Sequence, residues 1–495
     1  MLALGRTSLL TYAAVLASFF TAWGLETVAH LHTDVVVLAV VLALMAGRAA
    51  RRAGPWWQPA VVLPLAALWA GLVGQLMRTE RPLGDAVFVL VVAAGIWMRR
   101  FGPSFTRLGT LLTLPLIALL TTPVPRVSGA HNGLVQVLWA VPIAAMSTFW
   151  VLLFQRLAPS PVGNEKVQAA SSSGRTSTRM AVQMALTLGA AFVLGEWLFG
   201  DHWPWLVLTG YVVAAGNRGR GDVLVKGLHR LAGAMTGTIV ATLLAGVFAP
   251  GDRTAVVAVL VTLGLALLAR PYGYAYWAAG VTAALAFLYG YYGQGGTGVL
   301  AERVGAVAVA TALAVAIAWW VLPIRTTDMI RRRIADVLAD VHNLLTAARR
   351  SDPDGLQAAA SAAHSTLARL EEASGTIRLH DRLSRATGGK IWPRPPLADA
   401  VRGVLALERP LEELTADLSV QLADGARIDR EVGAELARVH GVLTSTRRTL
   451  GRRPDSDPPV PAPTEEREKP PPSGLRCLEE HLLWTRVSLL AVPVA

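Results

Sequence analysis

Two glutamates stand where a carboxylate is costly. Glu26 and Glu196 each fall well inside the first long apolar run of their half of the chain. A charge in hydrocarbon costs on the order of 3 kcal/mol. It is tolerated when it faces a protein cavity, pairs with a cation or takes up a proton. Burial favours the neutral carboxyl, so such a group is a candidate proton carrier. The alternative is a place at the headgroups: Glu26 follows Arg6 by about 20 residues, or roughly 30 Å of helix at ~1.5 Å per residue. His32 and His202 come next, in the turn after each run, beside Asp34 and Asp201. A His–carboxylate pair titrates near neutral pH and can relay protons. A plain solvated turn, with Asp201 capping a helix from Trp203, explains the same residues. Their spacing supports no metal site.

The cations suggest anion chemistry. Arg48 and Arg218 end two short apolar segments, Val35–Ala46 and Trp203–Gly216, at equivalent places in the two halves. Short segments at matching positions point to a substrate path. Thr209 and Tyr211 would offer hydrogen bonds along it, and Trp205 a stacking surface or an ordinary interfacial anchor. Arg218, Arg220, Lys226 and Arg230 form a basic cluster. It either attracts anions through its field or only marks topology. Gly233 and Gly237 make a small-xxx-small step that lets two helices touch.

These residues sit in a chain that repeats itself. At an offset of 170, Glu26 falls on Glu196 and His32 on His202, and Arg48 falls on Arg218. Apolar residues make up 53% and charged residues 16% of 495, far fewer charges than a soluble chain carries. The apolar residues come as runs up to Leu322. The expected fold is all-α: a polytopic membrane protein of two parallel six-helix repeats plus a cytoplasmic helical bundle. The expected spans are Leu9–Ala29, Val35–Ala46, Pro59–Met77, Leu83–Met98, Leu108–Thr122 and Gly133–Phe154, then Met180–Phe199, Trp203–Gly216, Leu231–Ala249, Ala255–Ala269, Tyr274–Tyr292 and Val304–Leu322. Leu9–Ala29 is too long for a signal-peptide core and reads as a retained anchor.

With the N-terminus inside, most Arg and Lys fall in inner connectors. Only Arg78, Arg81, Arg126, Arg253 and Arg303 fall in outer ones, which satisfies the positive-inside rule. The boundaries expected are a first repeat over 1–156, a flexible Ser/Pro/Gly linker over 157–178, a second repeat over 179–323 and a cytoplasmic helical domain over 324–453. A Pro-rich linker over 454–474 and a C-terminal amphipathic helix over 475–495 follow. In the helical domain, Ile334, Leu338, Val341 and Leu345 keep helical spacing, and four helices are expected. The last helix lies at the membrane surface or on the bundle.

Several chemistries are excluded. Cys477 is the one cysteine, so neither an intrachain disulfide nor a cysteine metal site forms. No Walker loop, nucleophile elbow or HExxH run is present, and the chain is read as no enzyme, with no cofactor and no metal. The formal charge of +12 belongs to inner loops and headgroups rather than to nucleic acid.

The second half also resembles a known family. Arg179 opens a run, Glu196 lies near its end, and His202-Trp203 follow. Then come Gly216-Asn217-Arg218 and the stretch from Arg230 to Gly237. This pattern is similar to the fusaric-acid-resistance-like superfamily of aromatic acid exporters, most clearly over Arg179–Leu322. In the first half Ala60, Leu63 and Ala67 stand where the second half has its Arg/Gly run. The resemblance implies proton-driven export of aromatic carboxylates. The family also includes plant malate channels of similar plan.

The expected function is therefore proton-linked export of small aromatic or amphipathic organic anions from the cell (plasma or inner) membrane, with both termini cytoplasmic. Glu26, Glu196, His32 and His202 are the proton-coupling candidates. Arg48, Arg218, Arg220 and Arg230 are the anion-attracting candidates, and Thr209 and Tyr211 the pathway candidates. Expected partners are the organic anion and the lipid bilayer, with a homo-oligomer left open and no nucleic acid. A passive anion channel and a non-transporting scaffold with a recruitment bundle are the alternatives.

Overall fold

A computed structural model describes residues 2–29, 34–50, 57–121, 133–157, 174–216, 219–244, 249–293, 297–323, 326–386, 388, 395, 397–423, 430–451 and 473–490. All regular structure among them is helical. The chain divides into two compact units, Met1–Ile324 and Arg325–Ala495.

Among the described residues the first unit holds twelve α-helices: α1 (Leu2–Ala29), α2 (Asp34–Ala50), α3 (Trp57–Thr79), α4 (Arg81–Trp97), α5 (Pro103–Leu119) and α6 (Gly133–Arg156), then α7 (Gly174–Phe199), α8 (Trp203–Ala214), α9 (Arg220–Leu244), α10 (Arg253–Ala269), α11 (Tyr274–Tyr291) and α12 (Thr297–Trp320). Local chemistry starts several of them. Proline occupies a first-turn position of α4, α5 and α8, where its missing N–H costs nothing. Asp252 caps α10 by accepting the Thr254 N–H at 2.9 Å. The expected linker over 157–178 ends early, because α7 already begins at Gly174.

Among the described residues, seven helical stretches are long and apolar enough to cross a membrane, fewer than the twelve spans expected. The segments Val36–Met45 and Pro103–Leu119 are apolar but shorter. Apolar side chains also cover the perimeter: Leu90, Val193, Trp197 and Leu243 are all more than 60% exposed. An apolar outer surface over apolar helices is what lipid solvates and water does not. The chain is a membrane protein.

Helix neighbours recur at an interval of six. The pairs α1–α2, α1–α6, α2–α6, α3–α5, α3–α6 and α4–α5 have the counterparts α7–α8, α7–α12, α8–α12, α9–α11, α9–α12 and α10–α11. Two junctions join the sets, α4 with α7 and α1 with α10. Phe88 and Phe192 meet edge to face at 5.5 Å in the first. In the second the Tyr12 hydroxyl donates to the Leu260 carbonyl at 3.0 Å. Gly233 and Gly237 press α9 onto α11: a Cβ at Gly233 would lie 2.6 Å from the Ala275 carbonyl oxygen.

Among the described residues the second unit has six helices, where four in the helical domain and one at the C-terminus were expected: α13 (Thr326–Arg349), α14 (Pro353–Ala386), α15 (Ala398–Leu405), α16 (Glu408–Ala423), α17 (Arg430–Leu450) and α18 (Ser473–Leu490). The helix expected over Leu397–Ala423 breaks at Ala406-Leu407, shortly before Pro410, which cannot sit within a continuous helix without losing a hydrogen bond. The last helix is part of the bundle. Its Leu475, Leu478 and Leu482 are fully buried in one core with Ile334, Leu338, Leu414 and Val439. Buried Asp381 ties α14 to α15, accepting from Arg385 at 2.6 Å and from Arg402 at 2.9 Å.

Candidate functional site

Helices α8, α9, α11 and α12 bring together two arginines and an aromatic pair. The first turn of α8 turns Trp205 inward, where it is buried. Its indole N–H donates to the Tyr289 hydroxyl of α11 at 3.0 Å. A buried indole N–H needs such an acceptor. The Arg303 guanidinium of α12 lies 5.4 Å from the Trp205 ring centroid and 5.9 Å from that of Tyr289. His202 stacks on Trp205 at 4.3 Å, and its Nδ1 meets Glu302 at 2.8 Å.

Arg303 is only 3% exposed and Arg230, on α9, only 5%. Each arginine acts electrostatically on the other. Among the described residues neither has a carboxylate within ion-pair distance, and the Arg230 Nε has no hydrogen-bond partner. Two buried like charges repel, and burying a guanidinium without a counterion is costly. Cation–π contact offsets part of that cost for Arg303. The remainder is a region of positive potential that favours an anion. Two buried hydroxyls flank α9: Thr311, against Gly227, and Thr282, against Gly237. Neither has a hydrogen-bond partner among the described residues.

The expected site residues are scattered around this centre. Arg230 is in it. Thr209 is buried on α8 and Tyr211 half-buried. Arg220 is exposed and lies 5.5 Å from the Trp319 ring. Glu196 is not buried in hydrocarbon. It is 57% exposed at the end of α7, where Arg81 holds it at 2.9 Å. Glu26 is half-buried near the end of α1, with its Oε2 shielded from solvent. His202 engages Glu302 rather than Asp201, and α8 starts without a side-chain cap. His32, Arg218 and the side chain of Arg48 lie outside the described residues.

Arg303 and Tyr289 carry much of the site, and neither stood among the sequence candidates. Arg303 was expected in an outer connector. It is inside the helix instead, because α12 begins at Thr297. The available signal was a Glu302-Arg303 pair directly against a long apolar run. Tyr289 belongs to the aromatic- and glycine-rich stretch Tyr272–Gly298, which reads in the sequence as an interfacial belt and outer loop or as a ring-stacking route.

Residues 189–317 match the family model described as fusaric acid resistance protein-like. The match runs from α7 to α12 and contains Trp205, Arg230, Tyr289 and Arg303. This part of the chain is similar to a fusaric acid resistance protein-like domain. No curated protein and no solved structure matches the chain. The match lies within the unit that holds the described helices long and apolar enough to cross a membrane. The buried arginine pair lies wholly inside the matched residues.

Proposed function

We propose that the chain is a proton-linked exporter of small aromatic organic anions. The observation that carries this reading is the pair Arg230 and Arg303, both buried and, among the described residues, without a carboxylate partner. A carboxylate between them would relieve their repulsion and accept charge-assisted hydrogen bonds. Trp205 and Tyr289 would present ring surface to an aromatic group, and the Thr282 and Thr311 hydroxyls would offer further donors. His202 and Glu302 stand at the same cluster and would close it on one side.

The recurrence of helix pairs at an interval of six supports two parallel six-helix repeats with the route between them. In this reading the C-terminal unit and both termini are cytoplasmic, the membrane is the plasma or inner membrane, and the chain does no covalent chemistry. Glu26 and Glu196 remain acidic groups through which a proton could enter. The chain would contact lipid and the anion, and possession of both repeats lets one copy form a route, with a homo-oligomer also compatible.

The test is flux of labelled benzoate into liposomes carrying the full-length protein. Accumulation should follow a pH gradient, and Arg303→Gln should abolish it. Benzoate current that follows voltage with no dependence on the pH gradient would make the protein a channel. No benzoate flux or binding for any tested aromatic acid would remove the reading.

A further inference from the structure

We propose that Asp85, at the junction of α4 and α7, is the group that takes up and releases the coupling proton. The proposal rests on the exporter reading above and names a residue for it. Asp85 sits one turn after Arg81 on α4, and its Oδ1 is fully enclosed with no hydrogen-bond partner among the described residues. A carboxylate oxygen enclosed without a donor is costly as an anion. Arg81 is the cation that acts on it, but its guanidinium is already committed to Glu196 at 2.9 Å and lies 5.2 Å from the Trp203 ring. Both Arg81 and Glu196 act on Asp85 electrostatically. Two carboxylates therefore share one cation, and the group of three is neutral only when one proton is bound.

Among the described residues, the neighbouring elements do not supply another counterion. From α3, Arg78 holds the Gln75 side-chain carbonyl. Glu80 stands at the N-cap position of α4 without a side-chain capping bond, Arg107 lies on α5, and Arg99 and Arg100 lie in the turn after α4. None of these is among the charges that act on Asp85. The other junction, α1 with α10, is made by the uncharged Tyr12, and buried Ala255 stands in the first turn of α10. The shared-proton arrangement therefore belongs to one junction, not both.

Its place also explains coupling. Trp203, which carries Arg81 on its ring, opens α8 two residues before Trp205 of the arginine site. It also packs on Phe192, 5.3 Å away, which in turn meets Phe88 of α4. With Asp85 protonated, Arg81 stays on Glu196 and Trp203. With Asp85 ionised, Arg81 is drawn toward it and away from the start of α8. A proton at Asp85 thus biases the position of the helix that carries Trp205.

The experiment uses full-length protein in liposomes and labelled benzoate, measuring counterflow without a pH gradient and accumulation with one. Asp85→Asn should keep counterflow and lose gradient-driven accumulation. Accumulation equal to wild type in that variant overturns the proposal. Absence of counterflow in the wild type would instead sink the exporter reading, independently of Asp85. If Asp85→Asn loses counterflow as well, Asp85→Glu decides. A displaced pH profile of accumulation supports the proposal, and a profile superimposed on wild type overturns it. Uncoupling by Glu196→Gln with Asp85→Asn still coupled would also overturn it.

Discussion

The guanidinium of Arg303 and the indole of Trp205 lie 5.4 Å apart, and the same indole donates its N–H to Tyr289. Trp205 thereby does two things at once: its face holds a cation, and its edge is fixed by a hydrogen bond. Arg230 completes the arrangement as a second buried cation.

Stability and function should oppose one another at Arg303. Replacing it with Met removes one of two buried like charges and keeps most of the volume. Exchanging buried charge for apolar packing stabilises by roughly 1 kcal/mol or more. The expected outcome is a higher Tm together with lost benzoate binding, read by thermal melting and calorimetry on the same detergent-solubilised sample. A lower Tm would mean that the cation is compensated within the fold.

Tyr289→Phe should weaken the site without removing it. The substitution leaves the buried Trp205 N–H without its acceptor, a penalty of about 1–3 kcal/mol. Tm should fall accordingly. The KM for benzoate should rise, because Trp205 is freed to rotate. Unchanged thermal melting and KM would show that the hydrogen bond contributes nothing.

The contact of α9 with α11 should be intolerant of added volume. A Cβ at Gly233 falls 2.6 Å from both the Ala275 carbonyl oxygen and the Ala278 Cβ. Overpacking of this kind costs about 1–3 kcal/mol. Gly233→Ala should lower Tm and reduce transport by shifting Arg230. The control is Gly189→Ala, where a Cβ meets nothing within 4 Å; it should leave both measurements unchanged.

The second unit should lose stability in mild acid. His342 on α13 and His440 on α17 have ring centroids 4.4 Å apart. Burial lowers the pKa of both below the ordinary 6.5. The Arg447 charge adds to this for both, and His342 and Arg349 add to it for His440. The unfolded chain therefore binds protons that the folded unit refuses. Stability is full above pH 6.5 and falls as pH drops from 6.5 toward the lowered folded-state values. Hydrogen exchange of α13 and α17 in the full-length protein should accelerate over that window. His440→Gln should flatten the dependence.

Much of the architecture was legible along the chain. All twelve helices of the first unit overlap the apolar runs, because a helix that meets lipid must be apolar along its length. The bundle core was visible in Ile334, Leu338, Val341 and Leu345, all buried, because helical spacing places them on one face. The site was less legible. Glu196 looked exceptional as a carboxylate in an apolar run, yet its partner Arg81 lies 115 positions away. Asp85 drew no attention because a lone acid near the start of a span looks like a headgroup residue.

What the sequence determined by itself was membrane insertion, an all-helical chain, two blocks of similar pattern and the fusaric-acid-resistance-like segment. Each of these depends on composition and spacing along one dimension. Only the tertiary structure decided which charges are compensated. Arg230 and Arg303 are 73 positions apart (303 − 230) and look like ordinary basic residues near helix ends. Helix packing is what buries both, leaves neither with a carboxylate at ion-pair distance among the described residues and sets Trp205 and Tyr289 against one of them.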